Sequence, residues 1–252
     1  MRLFTFLFLL FFYYTCYSKD TLIVKQINGI EVSIFSSTDT KDGNWESYGS
    51  GITYLPIKMK DVDSVINSLK EVLNKYPQLL LNENLKKITL FGRMKKKKAD
   101  LSGLYVSKFK FYLTMPEFNK GNKLIFEKLF HHEFSHCLFE NYKKQLNKRE
   151  WKKLCLKKYH GKIWEMIRSN SNMREFNPDL YSTGFLNLYA TINIKEDFAS
   201  FAENIFLSDV VFWKAVSENK LLHQKLILTI GFYKKLNPDF DEKYFEKNNS
   251  AK

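Results

Sequence analysis

Apolar residues recur at three- and four-residue spacing over Val62, Val65, Ile66, Leu69, Val72, Leu73 and Tyr76, the period of a helix with one buried face. Asp61 stands where it can cap that helix, and Pro77 stops it. Before it the pattern alternates. Thr21 to Ser37 reads as two short strands around Asn28-Gly29, the pair favoured in a tight hairpin turn. Thr38 to Gly51, rich in Asp, Gly, Ser and Thr, reads as a loop. After the helix, Ile88 to Gly92 reads as a short strand. Leu104 to Thr114 reads as one longer strand with an apolar and a basic face, placed at a sheet edge.

The rest of the chain turns helical. Asn122 to Lys144 contains neither Gly nor Pro and predicts a helix. Lys148 to Arg168 predicts another, weakest at Gly161. Asn170 to Thr183 reads as a loop, and Ile194 to Lys235 as two or three helical segments. Strands with one helix first and helices afterwards predict an α+β fold, with a small twisted sheet on one side of a cleft and a helical lobe on the other.

The first residues follow another logic. Arg2 precedes an apolar run from Leu3 to Tyr14, interrupted only by Thr5 and ending in small or polar residues. That is the pattern of a secretory signal peptide over residues 1–18. The run falls short of the roughly 20 apolar residues of a transmembrane helix. Cleavage after Ser18 leaves a domain over 19–245 and a tail over 246–252 expected to be disordered. Lipidation of Cys16, or an uncleaved leader, would instead attach the domain to a membrane. Each fate places it outside the cytoplasm, secreted or in the cell envelope.

Composition narrows the classes further. Apolar residues make up 44% and aromatics 16%, which supports a real core and argues against intrinsic disorder. The net charge of +13 raises nucleic acid or an anionic membrane surface as a partner, but the lysines are dispersed and no nucleic-acid motif accompanies them. The densest run, Lys95 to Lys98, reads as a solvated turn between strands. Beyond the leader only Cys137 and Cys155 remain; export would permit a disulfide between them, but both lie in expected helices beside apolar residues and read as buried free thiols. A monomer is expected.

The chemistry concentrates in His132-Glu133-Phe134-Ser135-His136. Residues i and i+4 of a helix share a face, so the two imidazoles can hold one metal ion, and nitrogen and oxygen ligands favour a single zinc. Glu133 is tilted toward the same side and suits a general base that takes a proton from the attacking water and delivers it to the leaving amine. Two incidental histidines on a helix are the competing reading. Three other histidines are less suited: His131 points about 100° away from His132, His160 reads as a surface residue, and His223 as a packed one.

A catalytic zinc usually takes three protein ligands. Lys195 to Phe206 reads KEDFASFAENIF, with an apolar stripe and with Glu196 and Glu203 on a common face. A carboxylate on such a helix needs a partner, and a zinc ion would be one. Helix capping by Glu196 and Asp197 is the alternative.

HHEFSH followed by EDFASFAE resembles the gluzincin metallopeptidases, and among them the bacterial zinc-binding metallopeptidases and the catalytic domain of anthrax lethal factor. The resemblance covers roughly Leu104 to Phe206. It implies a zincin-like fold, His132, His136 and Glu196 as zinc ligands, and Glu133 as the catalytic base. It also implies that Tyr189, seven residues before Glu196, donates a hydrogen bond to the developing oxyanion. Ser200 departs from the pattern, where an acidic residue usually orients a metal ligand; Glu203 and Glu140 are candidate substitutes. The function implied is an exported peptidase acting on a peptide or protein. Two other functions are compatible with these residues: a zinc-containing envelope binding protein without useful turnover, and a zinc hydrolase of cell-wall peptides.

Overall fold

Asn28 and Gly29 take positive φ angles of 51° and 75°, the backbone of a two-residue turn matched to strand twist. They fold β1 (Thr21–Ile27) back onto β2 (Ile30–Ser37), with Ile27 opposite Ile30. The computed structural model in which this hairpin is seen describes residues 21–38, 45–49, 51–97, 99–115, 120–161 and 172–249. The leader with Cys16 lies outside them.

A second, antiparallel sheet begins within the stretch expected to be loop. Its order is β3 (Glu46–Tyr48), β4 (Ile52–Leu55), β7 (Arg93–Lys96) and β8 (Ala99–Leu101). The larger sheet runs β1-β2-β6-β10-β9, where β6 is Lys87–Phe91, β9 is Gly103–Ser107 and β10 is Lys110–Thr114. The two-residue β5 (Ile57–Lys58) also pairs with β2. β2, β6 and β10 are mutually parallel, and β9 returns antiparallel to β10. The single strand expected over Leu104 to Thr114 is therefore a hairpin. Alternation continued through its turn at Lys108 and Phe109, so the pattern carried no sign of the reversal. Of these two strands β10 is interior and β9 lies at an edge of the sheet.

Parallel strands are buried on both faces. One face here presents Ile34, Ile88, Leu90, Phe111 and Leu113 to the helical core. The other presents Phe35, Phe91 and Tyr112 to Tyr48, Ile52, Tyr54 and Met94 of the small sheet. Helix α1 (Val62–Leu73) buries the expected apolar stripe; Asp61 precedes it but makes no side-chain cap hydrogen bond. Pro77 stops it and starts α2 (Gln78–Asn84). Helix α3 (Lys120–Asn141) packs against β9 and β10.

The helix expected over Lys148 to Arg168 is only α4 (Lys148–Lys153) within the described residues. Beyond it the backbone finds partners across the fold, Leu156 donating to the Thr183 carbonyl at 3.1 Å and His160 to the Thr191 carbonyl at 2.9 Å. Residues 162–171 lie outside the description. The expected loop carries a short α5 (Pro178–Tyr181), capped by Asn177. Three helices follow: α6 (Ile194–Ile205), α7 (Val210–Glu218) and α8 (Lys220–Leu236), capped by Asn193, Asp209 and Asn219. The last helix, α9 (Glu242–Asn249), continues past Glu246, where a disordered tail was expected to begin. Cys137 and Cys155 are free thiols, the first buried and the second partly so.

Candidate metal centre

α3 packs lengthwise on α6, and the chemistry lies on their shared face. His132 and His136 stand one turn apart, their ring centres 4.9 Å from each other and their planes nearly perpendicular. Glu196 enters from the first turn of α6. That turn is fixed by Asn193, whose side-chain oxygen accepts from the amides of Lys195 and Glu196. Glu196 Oε2 lies 3.1 Å from His132 Nε2 and 3.3 Å from His136 Nε2.

These separations test the fit of a metal. Two ligands of a tetrahedral zinc, each about 2.0 Å from the ion, stand about 3.3 Å apart. All three residues are buried, and their donor atoms lie within 4.8 Å of one another. The donor set and its spacing fit one zinc ion. Burial would raise the Glu196 carboxyl, but His136 and His132 hold it well below the usual carboxylate range.

The other imidazole nitrogen of His132 is also engaged. Its Nδ1 lies 2.8 Å from Glu203 Oε2, and Glu203 is buried. A carboxylate behind a ligating histidine fixes its tautomer and leaves Nε2 free for the metal. Ser200 does not reach a side chain of the metal set: its hydroxyl donates to the Glu196 backbone carbonyl at 2.9 Å. Glu140 pairs with Lys195. Of the two candidate substitutes for the missing acid, the structure brings Glu203 to the ligand.

Glu133 is buried beside the two histidines. Burial pushes its carboxyl up, against the pull of His132 and His136. Edge strand β9 lies directly on it, since a Cβ built at Gly103 would overlap the Glu133 carboxylate. The Tyr105 ring, two residues along the edge, packs edge-on at 5.7 Å from the His136 ring.

The remaining histidines stay outside the centre. His131 is a fully buried core residue, with Nδ1 2.7 Å from the Tyr76 hydroxyl and its ring stacked on Phe206 at 4.5 Å. His160 is exposed, as expected. His223 is exposed as well, not packed: α8 buries Leu222, Lys225, Leu226, Thr229 and Tyr233, and His223 falls off that stripe.

Tyr189 stands at the start of a single 3-10 turn, its ring 5.7 Å from the His132 ring. Burial, reinforced by Glu196, raises its phenol, so the group is a protonated donor. Facing it is Arg174, whose guanidinium lies over the Tyr189 ring at 4.8 Å. Arg174 sits in a stretch read only as loop, with no pattern to mark it.

A buried network backs the ligand helix. Asp197 Oδ2 accepts from Lys225 Nζ at 2.6 Å, Trp151 Nε1 at 2.8 Å and the Tyr159 hydroxyl at 2.8 Å. Lys225 also donates to the Gly184 carbonyl at 2.5 Å. Asp197 and Lys225 are both fully buried. Asp197 thus links the first turn of α6 to α4, to α8 and to the segment leading to Tyr189.

A small α+β domain with two histidines and a carboxylate converging between helices is the build of a zinc peptidase. Residues 45–243 match the family described as "Putative zinc-binding metallo-peptidase", and the chain belongs to that family. Its fold is similar to that of a crystal structure titled a putative zinc-binding metallo-peptidase from Bacteroides caccae. The TM-score is 0.57 at 16% identity, over 88% of this chain and 86% of that one. No curated protein matches the chain.

Proposed function

We propose that the chain is an exported peptide-bond hydrolase of the gluzincin type, using one zinc ion held by His132, His136 and Glu196. The observation that carries this reading is the buried His132–His136–Glu196 set with donor spacing suited to tetrahedral zinc. When bound, zinc supplies Lewis-acid charge to a substrate carbonyl and makes water nucleophilic near neutral pH.

The other steps belong to the chain. A peptide lies extended and adds to the open edge of β9, which brings a carbonyl beside Glu133. Glu133 takes a proton from the attacking water and returns it to the departing amine. Tyr189 donates its phenolic hydrogen to the oxygen on which negative charge develops. Glu203 holds His132 in the ligating tautomer through Nδ1. The leader residues support export, and the absence of a nucleic-acid motif supports a peptide or protein as the partner.

Zinc quantification and a peptide-library assay test this together. Glu133→Gln is expected to keep stoichiometric zinc and lose turnover; Glu196→Ala is expected to lose zinc. A Glu133→Gln variant that cleaves normally would refute the mechanism. Zinc bound stoichiometrically by a wild type that cleaves no peptide would favour a binding protein, and cleavage of wall fragments alone would favour a wall-peptide hydrolase.

A further inference from the structure

Residues 173–177 and 186–189 are two stretches of coil laced back to back. The Tyr189 amide donates to the Met173 carbonyl at 2.9 Å, and the Asn177 amide to the Leu186 carbonyl at 2.9 Å. Asn187 Nδ2 donates to the Arg174 carbonyl at 3.3 Å, and Asn187 Oδ1 accepts from the Ala190 amide at 2.8 Å. Asn187 is fully buried. Arg174 and Tyr189 are thus held to each other through the backbone as well as through the 4.8 Å contact of guanidinium on ring.

The charge in this corner is unusual for a metal site. A cation beside zinc ligands opposes a metal ion, and it favours negative charge that develops next to it. Three carboxylates, Glu133, Glu196 and Glu203, face Tyr189 from α3 and α6 and make the place hostile to new negative charge, while Arg174 opposes them. Burial works against the guanidinium's own charge, and Glu203, Tyr189, Glu133 and Glu196 more than offset it. A cation on the face of a phenol ring also restrains the ring.

We propose that Arg174 is the positioning residue for Tyr189: its guanidinium clamps the ring from one face and sets the phenolic O–H, in positive potential, toward the oxygen that becomes negative during the reaction. This rests on the peptidase reading above and assigns a role to a residue that reading leaves idle.

The test is a double-mutant cycle with Arg174→Met and Tyr189→Phe, read as kcat and KM on a fluorogenic peptide chosen from the library assay. R174M is expected to lower kcat by about 10- to 100-fold, part of what one oxyanion donor contributes, with KM nearly unchanged. In the Y189F background R174M should cost little more, because the two residues act as one unit. Arg174→Lys, which keeps a cation for the ring, should recover part of the loss. Zinc affinity of R174M, measured by competition with a chromophoric chelator, should equal or exceed that of wild type. An equal loss in both backgrounds, a loss confined to KM, or a loss of zinc would each overturn the proposal. A crystal structure of R174M gives a readout independent of turnover. A displaced Tyr189 ring supports the proposal, and an unmoved ring overturns it. Failure of the peptidase reading shows separately, as a zinc-loaded wild type that cleaves nothing.

Discussion

Glu203 and His132 meet through Oε2 and Nδ1 at 2.8 Å, both buried, from two different helices. Seven positions after Glu196 is two helical turns, so one helix supplies both a candidate ligand and the carboxylate behind another. Removing such a group typically costs about 10- to 100-fold in metal affinity. Glu203→Ala should weaken zinc binding by that factor. Ser200→Ala should leave it unchanged, because Ser200 bonds only back along its own helix. Competition with a chromophoric chelator measures both.

Gly103 is fixed by contact, not by backbone angle: the Glu133 carboxylate occupies the space a side chain would take. Gly103→Ala should displace Glu133 or the edge strand while leaving His132, His136 and Glu196 in place. A misplacement near 1 Å costs on the order of 10²-fold in rate. Turnover should fall by that order while zinc content stays stoichiometric.

Lys225 and Asp197 form a fully buried ion pair. Removing one partner of such a pair costs about 3–5 kcal/mol, because the other charge stays buried and uncompensated. Lys225→Met should lower stability by that amount in urea unfolding of the metal-free protein. Adding Asp197→Leu to it should recover much of the loss.

His131 carries a pH dependence whose sign follows from its burial. Burial lowers its folded pKa against the pull of Glu127. The unfolded chain therefore takes up the proton first as pH falls below about 6.5, and the native state loses stability there. The difference in unfolding free energy between wild type and His131→Phe isolates this term. It should shift against wild type as pH falls from 7.5 to 5.5, and a flat difference would refute it.

The elements with one clean period were legible in the sequence. α1 shows its stripe from Val62 to Leu73, and the β1–β2 hairpin shows Asn28-Gly29. The candidate metal site was legible because spacing alone puts His132 and His136 on one face, while singling out Glu196 took the family resemblance. The groups set by tertiary approach were not. β9 and β10 were read as one strand because alternation survives a tight turn. Arg174 and Gly103 reach the site only through the fold, Arg174 from a segment without periodicity and Gly103 from the start of a strand whose pattern says nothing of Glu133. Asp197 read as a helix cap because nothing local announces that Lys225, 28 positions later, is buried against it.

The edge formed by β9 has one more consequence. Its residues, Gly103, Leu104, Tyr105, Val106 and Ser107, carry no charge, and Val106 is exposed. Many proteins guard such an edge with a lysine or a proline in the strand itself. A guard there would also repel an incoming peptide, so a strand left open for the proposed substrate also invites a second copy of itself. The net charge of +13, spread over the whole chain, then keeps copies apart at a distance. Salt screens that repulsion but leaves backbone pairing intact, which ties the colloidal behaviour of this protein to ionic strength through the same strand that lies against Glu133.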